Sequence, residues 1–225
     1  MRSRWALLAA GLLLCGGLIC LIIGTRDREP TNNGRPLGEW VRRYGDPDTK
    51  QEATDAIVCI VTNQTSTLVK LLDYDTGPRE ASQIRRIEML PRFLYTTPFV
   101  YRWMFTEDKR AFRATDALTA FQIAGAHGER AVPALTSLML TASSRQAAMR
   151  AANALAYVGG PGCVTLVMNA TNPASPARLQ AIEALPRARS RPEEARKVIF
   201  AALTDPNPRV RQVATNAVRR YWPER

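Results

Sequence analysis

Histidine is almost missing from this sequence, and cysteine is scarce. His127 is the single histidine, and two of the four cysteines, Cys15 and Cys20, lie inside an apolar run near the N-terminus. The other two, Cys59 and Cys163, have no neighbour at metal-ligand spacing, whereas a zinc site needs several such ligands close together. His127 lies in a glycine-flanked turn, which is typical of an exposed loop residue. The sequence therefore predicts no metal site.

The sequence also lacks the common catalytic motifs. It contains no Gly-x-Ser-x-Gly nucleophile motif and no glycine-rich phosphate-binding loop. The neighbouring carboxylates Glu193 and Glu194, and likewise Asp73 and Asp75, lie beside predicted helix ends, where acids cap the turn or favour the helix dipole. We therefore predict that the chain has no catalytic residue and no cofactor, and that it is not an enzyme.

An apolar run near the N-terminus is the first positive feature. Residues 6–24 contain no charge, and at about 1.5 Å per residue they span roughly 28 Å, close to the hydrocarbon thickness of a bilayer. We predict a transmembrane anchor over residues 1–24. A cleaved signal peptide is the main alternative, but the run is longer than usual and no small-x-small cleavage site follows it. Lipidation at Cys15 or Cys20 is disfavoured because a bulky residue precedes each.

The charges beside this run predict its orientation. Arg2 and Arg4 precede it, and a short basic N-terminal tail normally stays in the cytoplasm. Several arginines after the run weaken the asymmetry. We predict a single-pass protein of the bacterial inner membrane, with its body outside the cytoplasm.

Residues 25–47 are interpreted as a linker followed by a short capping helix. Residues 29–36 are rich in turn formers, as expected of a segment that joins membrane and body. Leu37, Trp40, Val41 and Tyr44 then follow at helical spacing on one face.

An internal repeat dominates the body, residues 48–225. Five segments share the pattern alanine, variable, acid or amide, alanine, aliphatic: residues 53–57, 114–118, 151–155, 181–185 and 214–218. Their final residues are separated by 61, 37, 30 and 33 positions, and a degenerate copy at residues 86–90 divides the longest step. Periods of this length are typical of solenoids. The alanines lie three apart on one helical face, where small side chains let a neighbouring helix approach closely.

A second apolar segment follows each repeat after a turn, and residues 68–72, 132–140, 164–168 and 195–203 are the examples. A helix pair of this size cannot bury its apolar face alone, so neighbouring pairs must stack. Cys59 and Cys163 fall in distant repeats. We therefore expect two buried free thiols, although an exported chain could pair them.

The last repeat resembles a HEAT repeat. Residues 203–218 combine an Asp205-Pro206 turn, Val210-Arg211 at a helix start and the alanine face, and residues 124–135 resemble the link into a second HEAT helix. The resemblance covers residues 48–225. The layout of the whole chain, with an apolar span, a linker and a short helix before the repeats, is similar to that of anchored HEAT-repeat proteins of bacteria. It implies an all-α fold, an α-solenoid of about five to six HEAT-like helical pairs after a single transmembrane helix, and a scaffold without activity of its own.

Positive charge is the one feature beyond the fold. The net charge is +11, with +4 over residues 79–113 and +6 over residues 176–225. A candidate interaction surface is formed by arginines of these two zones: Arg85, Arg86, Arg187, Arg189, Arg191, Arg209, Arg211, Arg219 and Arg220. A solvated surface near an anionic membrane would have the same composition. Aromatic residues are sparse in the C-terminal zone, so base stacking is not expected there.

Two functions remain in competition. The first is a non-catalytic membrane-anchored scaffold or adaptor, held in the bilayer through residues 6–24, whose repeat surface binds an unidentified protein, acidic if the arginines contact it. The alternative is a binder of anionic polymer, nucleic acid or acidic glycan, whose affinity would fall steeply with salt. Export of the body would disfavour nucleic acid.

Overall fold

A computed structural model of the chain describes residues 29–74 and 109–223. This part of the chain is almost entirely α-helical, apart from one two-stranded hairpin, so the all-α class is confirmed. The strands are β1 (Thr31–Asn32) and β2 (Arg35–Pro36). The α-helices are α1 (Leu37–Tyr44), α2 (Lys50–Asn63), α3 (Thr65–Leu72), α4 (Lys109–Ala124), α5 (Val132–Thr141), α6 (Arg145–Tyr157), α7 (Gly160–Thr171), α8 (Arg178–Ala184), α9 (Pro192–Ala201) and α10 (Pro208–Tyr221). Short 3₁₀ helices occupy Gly125–Ala131, Leu185–Arg187 and Ala202–Thr204.

Polar caps and prolines define where several helices begin. The Ser144 hydroxyl accepts a hydrogen bond from the Ala147 amide at the start of α6, and the Asn207 side chain accepts one from the Arg209 amide at the start of α10. Prolines stand in the first turns of α5, α7, α9 and α10, where their missing N–H costs no intrahelical bond. The helix boundaries therefore follow from local chemistry.

The helices pack in two rows. In the first row, α2, α4, α6, α8 and α10 each contact the next. In the second row, α3, α5, α7 and α9 do the same. Because the chain alternates between rows, each first-row helix before α10 is followed by a second-row helix. The core lies between the rows.

The alanine pattern faces this core. Both alanines of all five repeat segments are buried, as are the aliphatic residues Ile57, Leu155 and Leu185, while Leu118 and Val218 are partly buried. The polar position within each segment is more exposed. The predicted face is confirmed, and its physical basis is the close approach of first-row helices over small side chains.

The joining segment is folded against the body. Asn33 and Gly34 have φ values of 49° and 75°, the combination of positive angles that a tight Asn-Gly hairpin turn requires. The Gln64 side-chain amide donates to the Thr31 carbonyl at 2.8 Å, and the Trp40 indole donates to the Asn32 carbonyl at 3.2 Å. Helix α1 buries Leu37 and Trp40 against α2 and α4, as the capping interpretation expected.

Glu29, at the start of this segment, binds residues of both α1 and α4. Its carboxylate accepts a hydrogen bond from the Gly38 amide at 2.7 Å and lies 3.5 Å from Nε of Arg113 on α4. Burial, and secondly the nearby Glu29 charge, raise the pKa of the half-buried Asp116. A junction of hydrogen bonds and ion pairs therefore ties the hairpin to α4.

Several predicted features lie outside the described residues. These are the anchor over residues 6–24, the degenerate repeat at residues 86–90, and Arg85 and Arg86. Over residues 29–74 and 109–223, no helix is both long enough and apolar enough to cross a membrane.

The cysteine expectation was wrong in one respect. Cys59 and Cys163 are both free thiols, but only Cys163 is buried. Cys59 is exposed because it lies off the α2 face that buries Ala56, Ile57 and Ile60. Burial raises the pKa of the Cys163 thiol, Glu194 adds to the rise, and Arg191 opposes it.

Candidate interaction surface

The predicted C-terminal arginines lie between the end of α8 and the end of α10. Arg187 ends the 3₁₀ helix after α8, Arg189 and Arg191 occupy the loop before α9, and the others lie on α10. Helix α10 buries Val210, Ala214 and Ala217, so its arginines occupy the opposite, exposed face. Arg219 and Arg220 fall in its last turn, where cations favour the helix dipole.

Tyr221 brings two of these arginines together. The guanidinium of Arg187 lies 5.8 Å from the centre of the Tyr221 ring, and that of Arg220 lies 5.7 Å from it. Arg187 is also held by a 2.9 Å hydrogen bond to the carbonyl of Glu183. Cation–π contacts of this kind contribute about 0.5–1 kcal/mol at exposed sites. Positions 33 residues apart in sequence thus share one aromatic ring.

Phe200 and Trp222 extend the cluster towards α9. Their ring centres are 6.2 Å apart, and Trp222 lies 6.2 Å from Tyr221. The guanidinium of Arg196 lies 5.3 Å from the centre of the Phe200 ring. Phe200 is 40% exposed, so the cluster reaches solvent. We name the set Arg187, Arg196, Phe200, Arg220, Tyr221 and Trp222 the arginine–aromatic surface.

Sequence reasoning missed four of the six residues of this surface. Arg196, Phe200, Tyr221 and Trp222 were not predicted as site residues, because aromatic residues are sparse in the C-terminal zone and only the packing brings three of them to the arginines. The aromatic residues come from two separate helices, α9 and the end of α10, so no local motif contains them. The sequence shows the three aromatic residues, Phe200 and the pair Tyr221 and Trp222. That they lie together follows only from the packing of α9 on α10.

A buried ion pair links the start of α8 to the turn before α10. Both Nη atoms of Arg178 on α8 contact the carboxylate of Asp205, and its Nε donates to the Ala170 carbonyl at 3.0 Å. Burial would raise the pKa of Asp205. However, the amide of Asn207 and the charges of Arg178 and Arg211 together hold that pKa below its usual value. Arg211 donates to the carbonyls of Asp205 and Pro206, so this arginine stabilises the turn.

The remaining arginines differ in their pairing. Arg191 lies 3.1 Å from the Glu194 carboxylate. Within residues 29–74 and 109–223, Arg189, Arg209 and Arg219 have no acidic side chain at salt-bridge distance, and all three are exposed. Their charges are therefore available to a partner. The surface as a whole offers several cations and three aromatic rings.

His127 does not join any such cluster. It is exposed on the 3₁₀ helix Gly125–Ala131, as expected. In the part of the chain that the structure describes, no three His, Cys, Asp or Glu side chains converge as a metal site would require. The absence of catalysis and of cofactors stays a prediction.

Comparison with known proteins adds no assignment. No protein-family profile matches the sequence, and no curated protein matches it with significance. The functional argument therefore rests on the residues and their geometry.

Proposed function

We propose that the chain is a membrane-anchored adaptor whose HEAT-like α-solenoid binds an acidic protein partner at the arginine–aromatic surface. Two observations support a solenoid of about five to six helical pairs: the repeat of about 33 residues and the two rows in which each helix contacts the next of its row. The apolar run at residues 6–24 supports the anchor. An adaptor of this kind needs binding and no chemistry.

The arginine–aromatic surface is the observation that carries this proposal. Arginine, tyrosine and tryptophan are the residues most enriched in binding hot spots, because they combine large contact area with directional hydrogen bonds. Here the three types lie together on a segment with net charge +6 over residues 176–225. Arg189, Arg209 and Arg219 of the same segment are exposed, and within the described residues they have no acidic side chain at salt-bridge distance. Carboxylates of a partner would pair with these arginines bidentately.

The geometry favours a protein over a nucleic acid. Base stacking needs free aromatic faces, whereas guanidinium groups already lie over the rings of Tyr221 and Phe200. The alternative of an anionic polymer keeps one supporting observation, the excess of unpaired arginines. An adaptor for an acidic protein should bind an acidic peptide more tightly, whereas a binder of anionic polymer should bind an oligonucleotide more tightly.

Fluorescence anisotropy of the full chain in neutral detergent tests the proposal. The probes are a labelled ten-residue Asp/Glu peptide with one central tyrosine and a labelled ten-nucleotide oligothymidine. We expect the peptide to bind more tightly, and the double variant Arg196→Glu/Arg220→Glu to weaken it at least about tenfold by reversing two charges at the cluster.

The double variant Arg42→Glu/Arg130→Glu is the matched control, since it reverses the same number of charges at two exposed arginines, one on α1 and one on the 3₁₀ helix Gly125–Ala131, that lie outside α9 and α10. Its effect on the peptide affinity should stay within about twofold. Equal losses in both variants would show attraction to net charge only and would contradict a specific surface. Tighter binding of the oligothymidine with a steep salt dependence would favour the anionic-polymer function instead.

A further inference from the structure

The junction between the N-terminal segment and α4 contains two carboxylates beside one glycine. A Cβ atom at Gly38 would lie 2.9 Å from Oδ2 of Asp116 and 3.2 Å from Oε1 of Glu29. The two oxygens are therefore no more than about 6 Å apart, a range over which one negative charge disfavours another. Because Gly38 has no Cβ atom, α1 can lie against both carboxylates.

The two carboxylates differ in their partners. Glu29 accepts a hydrogen bond from the Gly38 amide at 2.7 Å, and its other oxygen lies 3.5 Å from Nε of Arg113. Within residues 29–74 and 109–223, no N–H or O–H group donates to the Asp116 carboxylate, and no cation lies at salt-bridge distance from it. Donors and cations favour the ionised form of a carboxyl group. Ionisation is therefore favoured at Glu29 and not at Asp116.

The docked segment itself disfavours the charge on Asp116. This residue is half-buried, and burial is the larger cause of its raised pKa, followed by the charge of Glu29. Both causes involve the segment, because Gly38 lies against the carboxylate and Glu29 supplies the second negative charge. If residues 29–44 left α4, the carboxyl group would return to the ordinary aspartate pKa of about 4. Docking and proton binding are therefore linked.

Other charged groups on the elements that pack against α4 are engaged elsewhere or solvated. Those with partners are Arg35 with Glu39, Arg43 with Glu52, Asp55 with Gln51, Arg145 with Glu183, and Arg150 with the carbonyls of Leu72 and Tyr74. Those that are exposed are Arg42, Lys50, Lys70, His127, Glu129 and Arg130. Water and salt screen exposed charges, so Glu29 is the charge that acts on Asp116.

We propose that Asp116 and Glu29 form a proton-binding pair that controls the docking of residues 29–44 onto the stack. In acid, Asp116 binds a proton from solvent and is neutral, so Glu29 keeps the single negative charge of the pair together with its two partners. At neutral pH both carboxylates of the docked segment are ionised. They then repel each other, and the charge on Asp116 is poorly solvated, so release of the segment is favoured.

The direction of the effect follows from the raised pKa of Asp116. The docked state binds the proton more readily than the released state, so the added stability is fully present below the ordinary value of about 4 and is lost as the pH rises through the raised value. Release would uncover the site on α2 and α4 that buries Leu37 and Trp40. The inference does not rest on the proposed adaptor function, because none of these residues belongs to the arginine–aromatic surface.

Hydrogen exchange of the full chain in neutral detergent, read by mass spectrometry, tests the proposal. Division of the measured rate by the intrinsic rate at each pH gives an opening constant for the peptides that cover residues 29–44. We expect this constant to rise at least about threefold from about pH 4.5 to about pH 7.5, because the docked segment loses its proton over that range. Peptides from α6 should change less than about twofold and serve as the internal reference.

The variant Asp116→Asn removes the charge and keeps the shape of the side chain. Its opening constant at about pH 7.5 should fall to the acid value of the parent chain, and its dependence on pH should be less than about twofold. Asp55→Asn is the matched control, because Asp55 occupies the same place in the first alanine segment but is exposed and accepts a hydrogen bond from Gln51 at 3.1 Å. This variant should keep the pH dependence of the parent chain.

Carbon-13 NMR of the Asp116 carboxyl group measures its titration without any substitution. We expect a midpoint above the ordinary aspartate value of about 4, and a midpoint at or below that value would overturn the proposal. An opening constant that does not change with pH, or that stays as dependent on pH in Asp116→Asn as in the parent chain, would also overturn it. Opening that responds to added calcium at fixed pH, and not to pH, would assign the two carboxylates to a cation instead.

Discussion

At the scale of single residues, burial distinguishes an ion pair that stabilises the fold from one that contributes little. The side chains of Arg178 and Asp205 are 16% and 7% exposed, whereas those of Arg145 and Glu183 are 71% and 42% exposed and their closest atoms are 3.5 Å apart. Water screens the exposed pair, so it contributes little. The buried pair is also bound to the Ala170 carbonyl and the Asn207 amide, and it connects α8 to the turn before α10.

Removing Arg178 should therefore destabilise the protein far more than removing Arg145. We expect Arg178→Ala to lower the free energy of unfolding by about 3 kcal/mol, because it leaves the Asp205 carboxylate buried and unpaired. Arg145→Ala should cost less than about 1 kcal/mol. Urea unfolding followed by circular dichroism measures both, and similar losses in the two variants would contradict the structural role of the buried pair.

The same pair predicts a pH dependence. The pKa of Asp205 is lowered in the folded chain, so the folded state binds the proton less readily than the unfolded state. The stabilisation is then present above the ordinary aspartate pKa of about 4 and is lost as the pH falls through the lower, folded value. We expect the stability difference between the parent chain and Asp205→Asn to shrink in acid. A difference that stays constant down to about pH 2 would contradict this.

At the scale of helices, a close approach between α6 and α7 depends on one glycine. A Cβ atom at Gly162 would lie 2.1 Å from the carbonyl oxygen of Leu155, which is backbone and cannot move aside as a side chain can. Gly160, in the same helix, would have no atom within 4 Å of its Cβ. The first turn of α7 therefore contains one glycine that packing requires and one that it does not.

This pair of positions gives a matched test. We expect Gly162→Ala to destabilise the protein by about 3 kcal/mol through displacement of α7 from α6. Gly160→Ala should be neutral or stabilising by about 0.5 kcal/mol, because alanine reduces the freedom of the unfolded chain. Thermal unfolding of the two variants distinguishes them. Equal melting temperatures would show that α7 can move away from α6 without cost.

At the scale of the whole molecule, the N-terminal junction connects the predicted anchor to the stack. The Gln64 side chain donates to the hairpin, and Glu29 joins the Gly38 amide of α1 to Arg113 of α4, so the segment that follows the predicted span is tied to the helices behind it. The arginine–aromatic surface lies on the last helices of the described chain.

The side of the membrane on which this body lies is testable in cells. The basic N-terminal tail predicts export, so a C-terminal reporter enzyme that is active only outside the cytoplasm should be active when fused to the full chain. The same fusion with residues 6–24 deleted should be inactive. Activity of a cytoplasmic reporter instead would reverse the orientation and would make nucleic acid accessible to the arginines.

Much of the fold follows from local pattern, whereas the surfaces follow from packing. The alanine pairs at residues 53 and 56 or 214 and 217 identify the buried face, because helical periodicity places residues three apart on one side wherever the helix lies. Caps and prolines mark the helix starts for the same local reason. The all-α class, the helices after the first four alanine segments and the short helix over residues 37–44 could thus be predicted from the sequence.

The contacts between residues of different helices could not be predicted from the sequence. Phe200 meets Trp222, and Arg187 meets Arg220 over Tyr221, only because successive helices pack at particular offsets and angles. Those offsets depend on side-chain volumes and close contacts such as that at Gly162, which involve residues from different helices. Helical periodicity predicts which side of a helix is buried. Which residues of other helices lie beside the remaining side chains is determined by the packing of all the helices together.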